Sequence, residues 1–267
     1  MPMADLPRPV YFFTDFGPGS PYVGLMHAAL ARHSRLLLPQ APVPRSIELC
    51  SDVAPFAARQ GAYLLAALVA HIEDDAVVVA VVDPGVGTAR AGVVLETSGR
   101  TFVGPDNGLL ARCATADPSA CWYQLAKPEI LSATFHGRDW FTPVATLLAH
   151  GLEPSRRPFA ASSIHGFDWP ERLAEVIHVD RYGNVMTGLS AQGVGRQALV
   201  QAGGHCLAWA PTFGAMPAQG AFWYANSLGL VELAVNGGRA DHLLGLGVGD
   251  GVVLFIQNDQ APHHGSA

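Results

Sequence analysis

Apolar positions follow two different rhythms along the chain, and the rhythm changes near residue 160. In the first part, continuous apolar runs at 10–14, 47–50 and 76–82 alternate with stretches of helical spacing near 22–33 and 54–72. Strands buried on both faces read as unbroken apolar runs, and AVVVAVV at 76–82 is such a run. This strand–helix–strand alternation predicts a parallel or mostly parallel sheet covered by helices. Further strands are predicted at 92–97, 101–103 and 122–125, and a helix over about 141–150. The fold class expected for residues 1–160 is therefore α/β.

From 152 to 170 the chain is rich in Pro, Ser and Arg without periodicity, the composition of a connection. The domain boundary is placed there, with 161–170 as linker. Short alternating runs follow at 175–179, 185–189, 197–201, 222–225, 230–235 and 252–256, punctuated by Gly and Asn. They predict a smaller all-β domain over 171–259, a barrel or a sandwich. Residues 1–7 and the tail 260–267 lack periodicity and are expected to fray, so that His263 and His264 read as tail composition and no metal is expected.

Composition narrows the function. At 267 residues, 49% of them hydrophobic, the chain can bury one large core or two ordinary ones. Charged residues make up only 14%, Lys127 is the sole lysine and the net charge is -6, so the basic stripes that neutralise nucleic-acid phosphates are missing. The longest apolar stretch, 62–70, is about half of the roughly 20 residues a membrane helix needs. No signal-peptide pattern opens the chain, and a cytoplasmic location is expected. Cys50, Cys113, Cys121 and Cys206 form no CxxC pair and are read as reduced, partly buried thiols.

Ligands of open α/β sheets bind beyond the carboxyl ends of strands, so polar residues just after apolar runs are the first candidates. Asp15, in TDFGPG, and Asp83, in VVDPGVGTAR, both qualify. Each is equally an Asx-turn residue satisfying backbone N–H groups, and the sequence leaves both readings open. Pro84, Gly85 and Gly87 allow a sharp bend that returns Arg90 toward Asp83, as a ligand-facing pair or as an ordinary surface ion pair. His136, in TFHGRD, stands just ahead of a helical pattern, where a lone histidine is commonly structural. Asp106 and Asn107, in GPDNG, read as a tight turn. GxxxxGK[ST], GxGxxG after the first strand, HExxH and GxSxG are all absent from the sequence.

Taken in order, TDFG, VVDPGVGTAR, GPDNGLL, TFHGRD, HVDRYGN and NSLGLVELAVN resemble the S-adenosylmethionine hydroxide adenosyltransferase family, relatives of the adenosyl-halide synthases. The resemblance runs from the first strand to about residue 250. It implies an N-terminal α/β domain with a C-terminal β-barrel, assembly into homotrimers with active sites between subunits, and hydrolysis of S-adenosylmethionine to adenosine and methionine without a cofactor. The implied catalytic set falls on Asp83, Arg90 and His136; the halide-using relatives have a tyrosine where Asp83 stands.

By the same resemblance Asp15 would accept the ribose hydroxyls, and Asn184 with backbone groups near Asn236 and Gly237 would read the adenine. Phe213 and Phe56 would pack on the adenosyl group, Asp180 would pair with the methionine ammonium, and Ser227 would donate to its carboxylate. For Asp180 and Asn184 a plain hairpin turn, DRYGN, is the alternative. Two departures stand out: Ser20–Pro21 replaces the family's acidic residue after TDFG, and Leu228 replaces a polar or basic side chain after Ser227. Two other functions remain open at this stage, a halide-dependent adenosyl transferase and a non-catalytic adenosyl-ligand binding protein.

Overall fold

The computed structural model describes residues 6–115 and 117–256. Residues 260–267, His263 and His264 among them, and the expected frayed N-terminus before Leu6 lie outside the described residues. Among those described, no helix is long and apolar enough to cross a membrane. The chain forms two compact units, Met1–Glu171 and Arg172–Ala267.

The first unit runs β1 (Val10–Thr14), α1 (Pro21–Leu37), β2 (Ser46–Cys50), α2 (Ala58–Val69), β3 (Val77–Val81), β4 (Gly92–Glu96), β5 (Thr101–Pro105), α3 (Ala111–Ala114), β6 (Cys121–Leu125), a π-helical turn (Gly137–Phe141), α4 (Thr142–Ala149) and β7 (Arg156–Pro158). Its strands form one sheet in the order β2-β1-β3-β5-β4-β6-β7. The expected parallel arrangement occupies β2-β1-β3-β5, and β4, β6 and β7 extend it antiparallel. On one face, Phe12, Val77, Val79 and Val81 pack with Met26 and Leu30 of α1 and with Val144, Ala145 and Leu148 of α4. Each of these side chains lies almost wholly out of water, which at roughly 1.5–3 kcal/mol apiece supplies much of the folding energy.

Sequence-based expectations need four corrections, three of them to elements of this unit. The helix expected from residue 54 starts at Ala58: Pro55 disfavours helical backbone at Ala54, and Phe56 sits at φ +64°. The helix expected at 141 is preceded by the π turn, because Pro143 has no N–H for the usual i−4 bond; Thr142 Oγ1 donates to the Gly137 carbonyl at 2.7 Å. The stretch expected as a connection contains β7 and belongs to the first unit. There the Trp169 indole occupies space that a Cβ on Gly108 or Gly166 would need, and Arg112 Nη2 donates to the Glu171 carbonyl at 3.1 Å. Of the four thiols, Cys121 and Cys206 are exposed rather than partly buried.

Among the described residues the second unit is all-β apart from short helical pieces, α5 (Ala240–Leu244) and a 3-10 turn (Phe213–Ala215). Its strands are β8 (Leu173–Val179), β9 (Val185–Ser190), β10 (Ala198–Ala202), β11 (His205–Leu207), β12 (Ala221–Ala225), β13 (Leu230–Val235) and β14 (Val253–Ile256). They form an antiparallel sheet β12-β13-β9-β8 and a second sheet β11-β10-β14. Single bridges, Glu175 to Gly251 and Trp209 to Trp223, join the two sheets at both edges and close the barrel-like ring. Trp223 fills its core, and its indole N–H donates to the Ala198 carbonyl at 2.9 Å.

Space around two glycines gives a direct check of the first unit. A Cβ on Gly104, in β5, would stand 2.4 Å from the Ala80 carbonyl oxygen of β3, whereas one on Gly24, in α1, meets nothing within 4 Å. Gly104→Ala is expected to lower stability by at least about 2 kcal/mol and Gly24→Ala to raise it by up to about 1 kcal/mol. Chemical denaturation of the two variants measures both.

Candidate active site

Three neighbouring parallel strands, β1, β3 and β5, deliver acidic residues at one end of the sheet: Asp15 directly after Thr14, Asp83 two residues after Val81 and Asp106 directly after Pro105. The sheet's register thus gathers what the sequence holds nearly a hundred residues apart.

Between Asp83 and Arg90 two turns follow back to back, with Val86 N–H donating to the Asp83 carbonyl and Thr88 N–H to that of Gly85, both at 3.2 Å. Gly87 makes this possible. Its φ is +82°, and a Cβ there would lie 2.6 Å from the Ala133 carbonyl oxygen, so the bend packs against the backbone that leads into His136.

The bend returns Arg90 onto Asp83. Arg90 Nε donates to Asp83 Oδ1 at 2.7 Å, and Nη2 donates to Oδ2. The pair is not an ordinary surface ion pair, because only 11% of the arginine side chain and 4% of the aspartate side chain are exposed. Arg90 Nη2 also donates to His136 Nδ1 at 2.9 Å, Nη1 donates to the Ala91 carbonyl at 2.9 Å, and the guanidinium carbon stands 5.2 Å from the Phe141 ring centre.

Because an arginine can only donate, His136 Nδ1 must accept, which places the imidazole proton on Nε2. Burial lowers the His136 pKa from the ordinary 6.5, and the neighbouring Arg90 charge lowers it further. The same contact therefore sets the neutral state and the tautomer.

Asp15, Asp83 and His136 line one cavity of about 160 Å³ together with Phe16, Phe56, Val81, Thr134 and Phe135. This is below the roughly 300–1,000 Å³ of ordinary small-molecule pockets. Burial raises the Asp15 carboxyl pKa, and the Asp83 charge raises it as well. Asp15 Oδ2 accepts from Phe56 N–H at 3.2 Å. That bond helps hold Phe56, a residue 75% exposed, at its positive φ, a costly conformation for an aromatic residue.

Asn107, expected in a turn, is a turn residue: its Oδ1 accepts from Leu109 N–H at 3.2 Å. Its Nδ2 donates to the Val82 carbonyl at 2.7 Å, which ties the end of β5 to the residue before Asp83. Ser20 and Pro21 form the start of α1, the Ser20 hydroxyl capping Tyr22 N–H at 3.3 Å and Pro21 occupying the first turn. None of the thiols joins the cluster, and burial above all pushes the Cys50 and Cys113 thiols up to about 12.

In the second unit the DRYGN hairpin turn is real. Asp180 Oδ1 accepts from the N–H groups of Tyr182 at 2.8 Å and Asn184 at 2.9 Å, and Oδ2 accepts from Asn184 Nδ2 at 2.9 Å. Asp180 and Asn184 are thereby brought together with fixed orientations. Phe213 lies edge-on to Phe222 and Tyr224, at 5.3 and 5.7 Å between ring centres. Asn236 Nδ2 donates to the Met216 carbonyl at 2.7 Å, Gly237 is exposed at φ +70°, and Ser227 is exposed on the turn after β12.

Sequence reasoning missed Glu232 and its two donors, Tyr224 and Asn226. The available signal was a lone acidic residue inside the otherwise apolar run LVELAV.

Comparison with known proteins agrees with this layout. Residues 10–157 match the model of the SAM hydroxide adenosyltransferase N-terminal domain, and residues 174–253 match that of the C-terminal domain. The chain is 39% identical over 272 residues to the (R)-S-adenosyl-L-methionine hydrolase of Thermus thermophilus, covering 93% of this chain and 100% of that protein. It is 39% identical over 263 residues to the enzyme of the same name from Salinispora arenicola, covering 90% of this chain and 95% of that protein. Among solved structures, an uncharacterized conserved protein from Thermotoga maritima superposes with a TM-score of 0.78 at 30% identity, over 92% of this chain and 99% of that one. With both domain models matched in order and relatives aligned over nearly their whole length, this chain belongs to the SAM hydroxide adenosyltransferase family.

Proposed function

We propose that the protein hydrolyses S-adenosylmethionine to adenosine and L-methionine by attack of an activated water at ribose C5'. The observation that carries the proposal is the buried contact chain Asp83–Arg90–His136 at the edge of the cavity that Asp15 lines. Relatives named (R)-S-adenosyl-L-methionine hydrolase, aligned over most of the chain, support the same reading.

Sulfonium chemistry fits these residues. Methionine leaves as a neutral thioether, so its departure needs no general acid; the demand falls on water, whose pKa is about 15.7. His136, protonated on Nε2, donates to the water oxygen and orients it, and Asp83 accepts the proton as the new C–O bond forms and the C5'–S bond breaks. Arg90 fixes both partners and offsets the charge of the developing hydroxide. With Asp15 and Asp83 against one Arg90, the formal charge of the group is one negative, complementary to a sulfonium.

Asp15 accepts the two ribose hydroxyls, whose adjacent donors suit a carboxylate. Phe56 and Phe213 pack against the adenosyl group. We assign the adenine edge to Asn184 with backbone groups at Asn236 and Gly237, the methionine ammonium to Asp180 and its carboxylate to Ser227. The reaction runs without a cofactor or metal. A homotrimer and a cytoplasmic location complete the proposal, the first on the family resemblance and the second supported by four unpaired thiols.

Incubation with S-adenosylmethionine in ¹⁸O-water tests the reaction. Adenosine labelled at its 5' oxygen is the expected product; a 5'-halo product formed only with added halide, or bound ligand left intact, rejects hydrolysis. Asp83→Asn is expected to keep ligand binding and to lose about 10²- to 10⁴-fold in kcat, the usual contribution of a positioned base. Wild-type kcat in that variant removes Asp83 from the mechanism.

The His136 shift sets a pH dependence. Above its ordinary value of 6.5 the imidazole is neutral in folded and unfolded chains alike; below it the unfolded chain takes up the proton first, so the neutral contact with Arg90 costs stability as the medium becomes more acidic. A decline of kcat/KM and of folding stability below pH 6.5 is therefore expected, flattened in His136→Gln. A His136→Gln profile identical in shape to wild type assigns the acid limb elsewhere.

A further inference from the structure

Glu232 is a carboxylate where the fold favours an apolar side chain. It lies in β13, is 3% exposed, and stands directly across from Tyr224 in β12. Its neighbours Val231, Leu233 and Val235 point into the barrel core. By strand alternation Glu232 shares the opposite face with Ala234, where Phe222, Ala210 and Met216 pack and Phe213 contacts Phe222. Among the described residues no cation pairs with it; the Tyr224 hydroxyl donates to Oε1, and Asn226 Nδ2 donates to Oε2 at 2.6 Å.

A buried carboxylate without a cation is a poor source of stability, since desolvation takes back most of what its hydrogen bonds return. Both donors, however, lead to residues assigned to the ligand. The Tyr224 ring, held by its hydroxyl, meets Phe213 at 5.7 Å. Asn226, anchored through Nδ2, turns its Oδ1 to accept from Leu228 N–H and Leu230 N–H, both at 3.0 Å, and so fixes the turn that carries Ser227. Burial, then the Glu232 hydrogen bond and charge, raise the Tyr224 pKa, so the phenol stays a donor across the working pH range.

We propose that Glu232 is a positioning residue for substrate recognition: through Tyr224 and Asn226 it holds Phe213 and the Ser227 turn in the arrangement that receives the adenosyl and amino-acid ends of the ligand. The inference rests on the S-adenosylmethionine reading above. It also bears on Leu228, an apolar side chain where the family resemblance implies a polar or basic one: its backbone N–H is held by Asn226 Oδ1, and Ser227 with it.

The test compares Glu232→Gln and Asn226→Ala with Val200→Ala, a cavity variant in the barrel core that serves as a control matched for loss of melting temperature. For Glu232→Gln, KM for S-adenosylmethionine is expected to rise about tenfold while kcat stays within about twofold, the pattern of lost uniform binding. Asn226→Ala should move KM in the same direction, and the double variant should be little worse than the single ones, as for residues of one network. A KM for Glu232→Gln within twofold of wild type, or no larger than that of Val200→Ala, overturns the proposal. If wild-type protein forms no adenosine, the hydrolase reading falls, and the same comparison is made by equilibrium binding of S-adenosylmethionine. Tenfold weaker binding of Glu232→Gln then supports the inference; equal affinity, or no binding by wild type, rejects it.

Discussion

A single guanidinium organises the first unit's site. Arg90 directs two donors to Asp83, one to His136 and one to the Ala91 carbonyl, while its flat face lies over Phe141. Removing one member of so buried a pair leaves an uncompensated charge, a loss of about 3–5 kcal/mol by comparison with other buried pairs. The geometry of the carboxylate, the tautomer of the imidazole and the course of the Asp83–Arg90 bend are all consequences of satisfying that one cation.

The backbone around it is built to the same end. Gly87 adopts a left-handed conformation where a side chain would strike the Ala133 carbonyl, and the π turn just after His136 absorbs Pro143 without breaking the helix that follows. Asn107 ties β5 to β3 one residue before Asp83. Phe56 is held at positive φ by a bond to Asp15. Such local departures from regular structure, gathered on one cavity, are what a preorganised site requires, because each restricts a group that would otherwise have to be ordered during the reaction.

The barrel shows the same logic with different chemistry. There the Asp180 carboxylate accepts from the hairpin's own N–H groups and from Asn184 Nδ2, so both side chains are fixed, while Glu232 anchors an aromatic pair and a serine-bearing turn. Both readings of DRYGN, as a hairpin and as a candidate binding group, describe the same hydrogen bonds, since an Asx turn that is already satisfied is also rigid. The Leu228 side chain is apolar, and its backbone N–H donates to Asn226 Oδ1.

Much of this was legible in the order of residues. Unbroken apolar runs identified the central strands, because burial on both faces leaves no polar positions, and glycines beside Asp83 announced a bend. The motifs carried the family, and with it a set of candidate site residues. What the chain order could not decide was set by long-range packing: that 161–170 folds into the first unit, that Phe56 is held at positive φ by Asp15, and that Asp83 and Arg90 are buried rather than lying on the surface. The state of His136 depends on a donor 46 residues away. The role of Glu232 depends on a strand partner and a covering segment that no local pattern encodes. Local sequence fixes which conformations and chemistries are available, but burial and partner choice are properties of the folded chain, and these decide which of them a site uses.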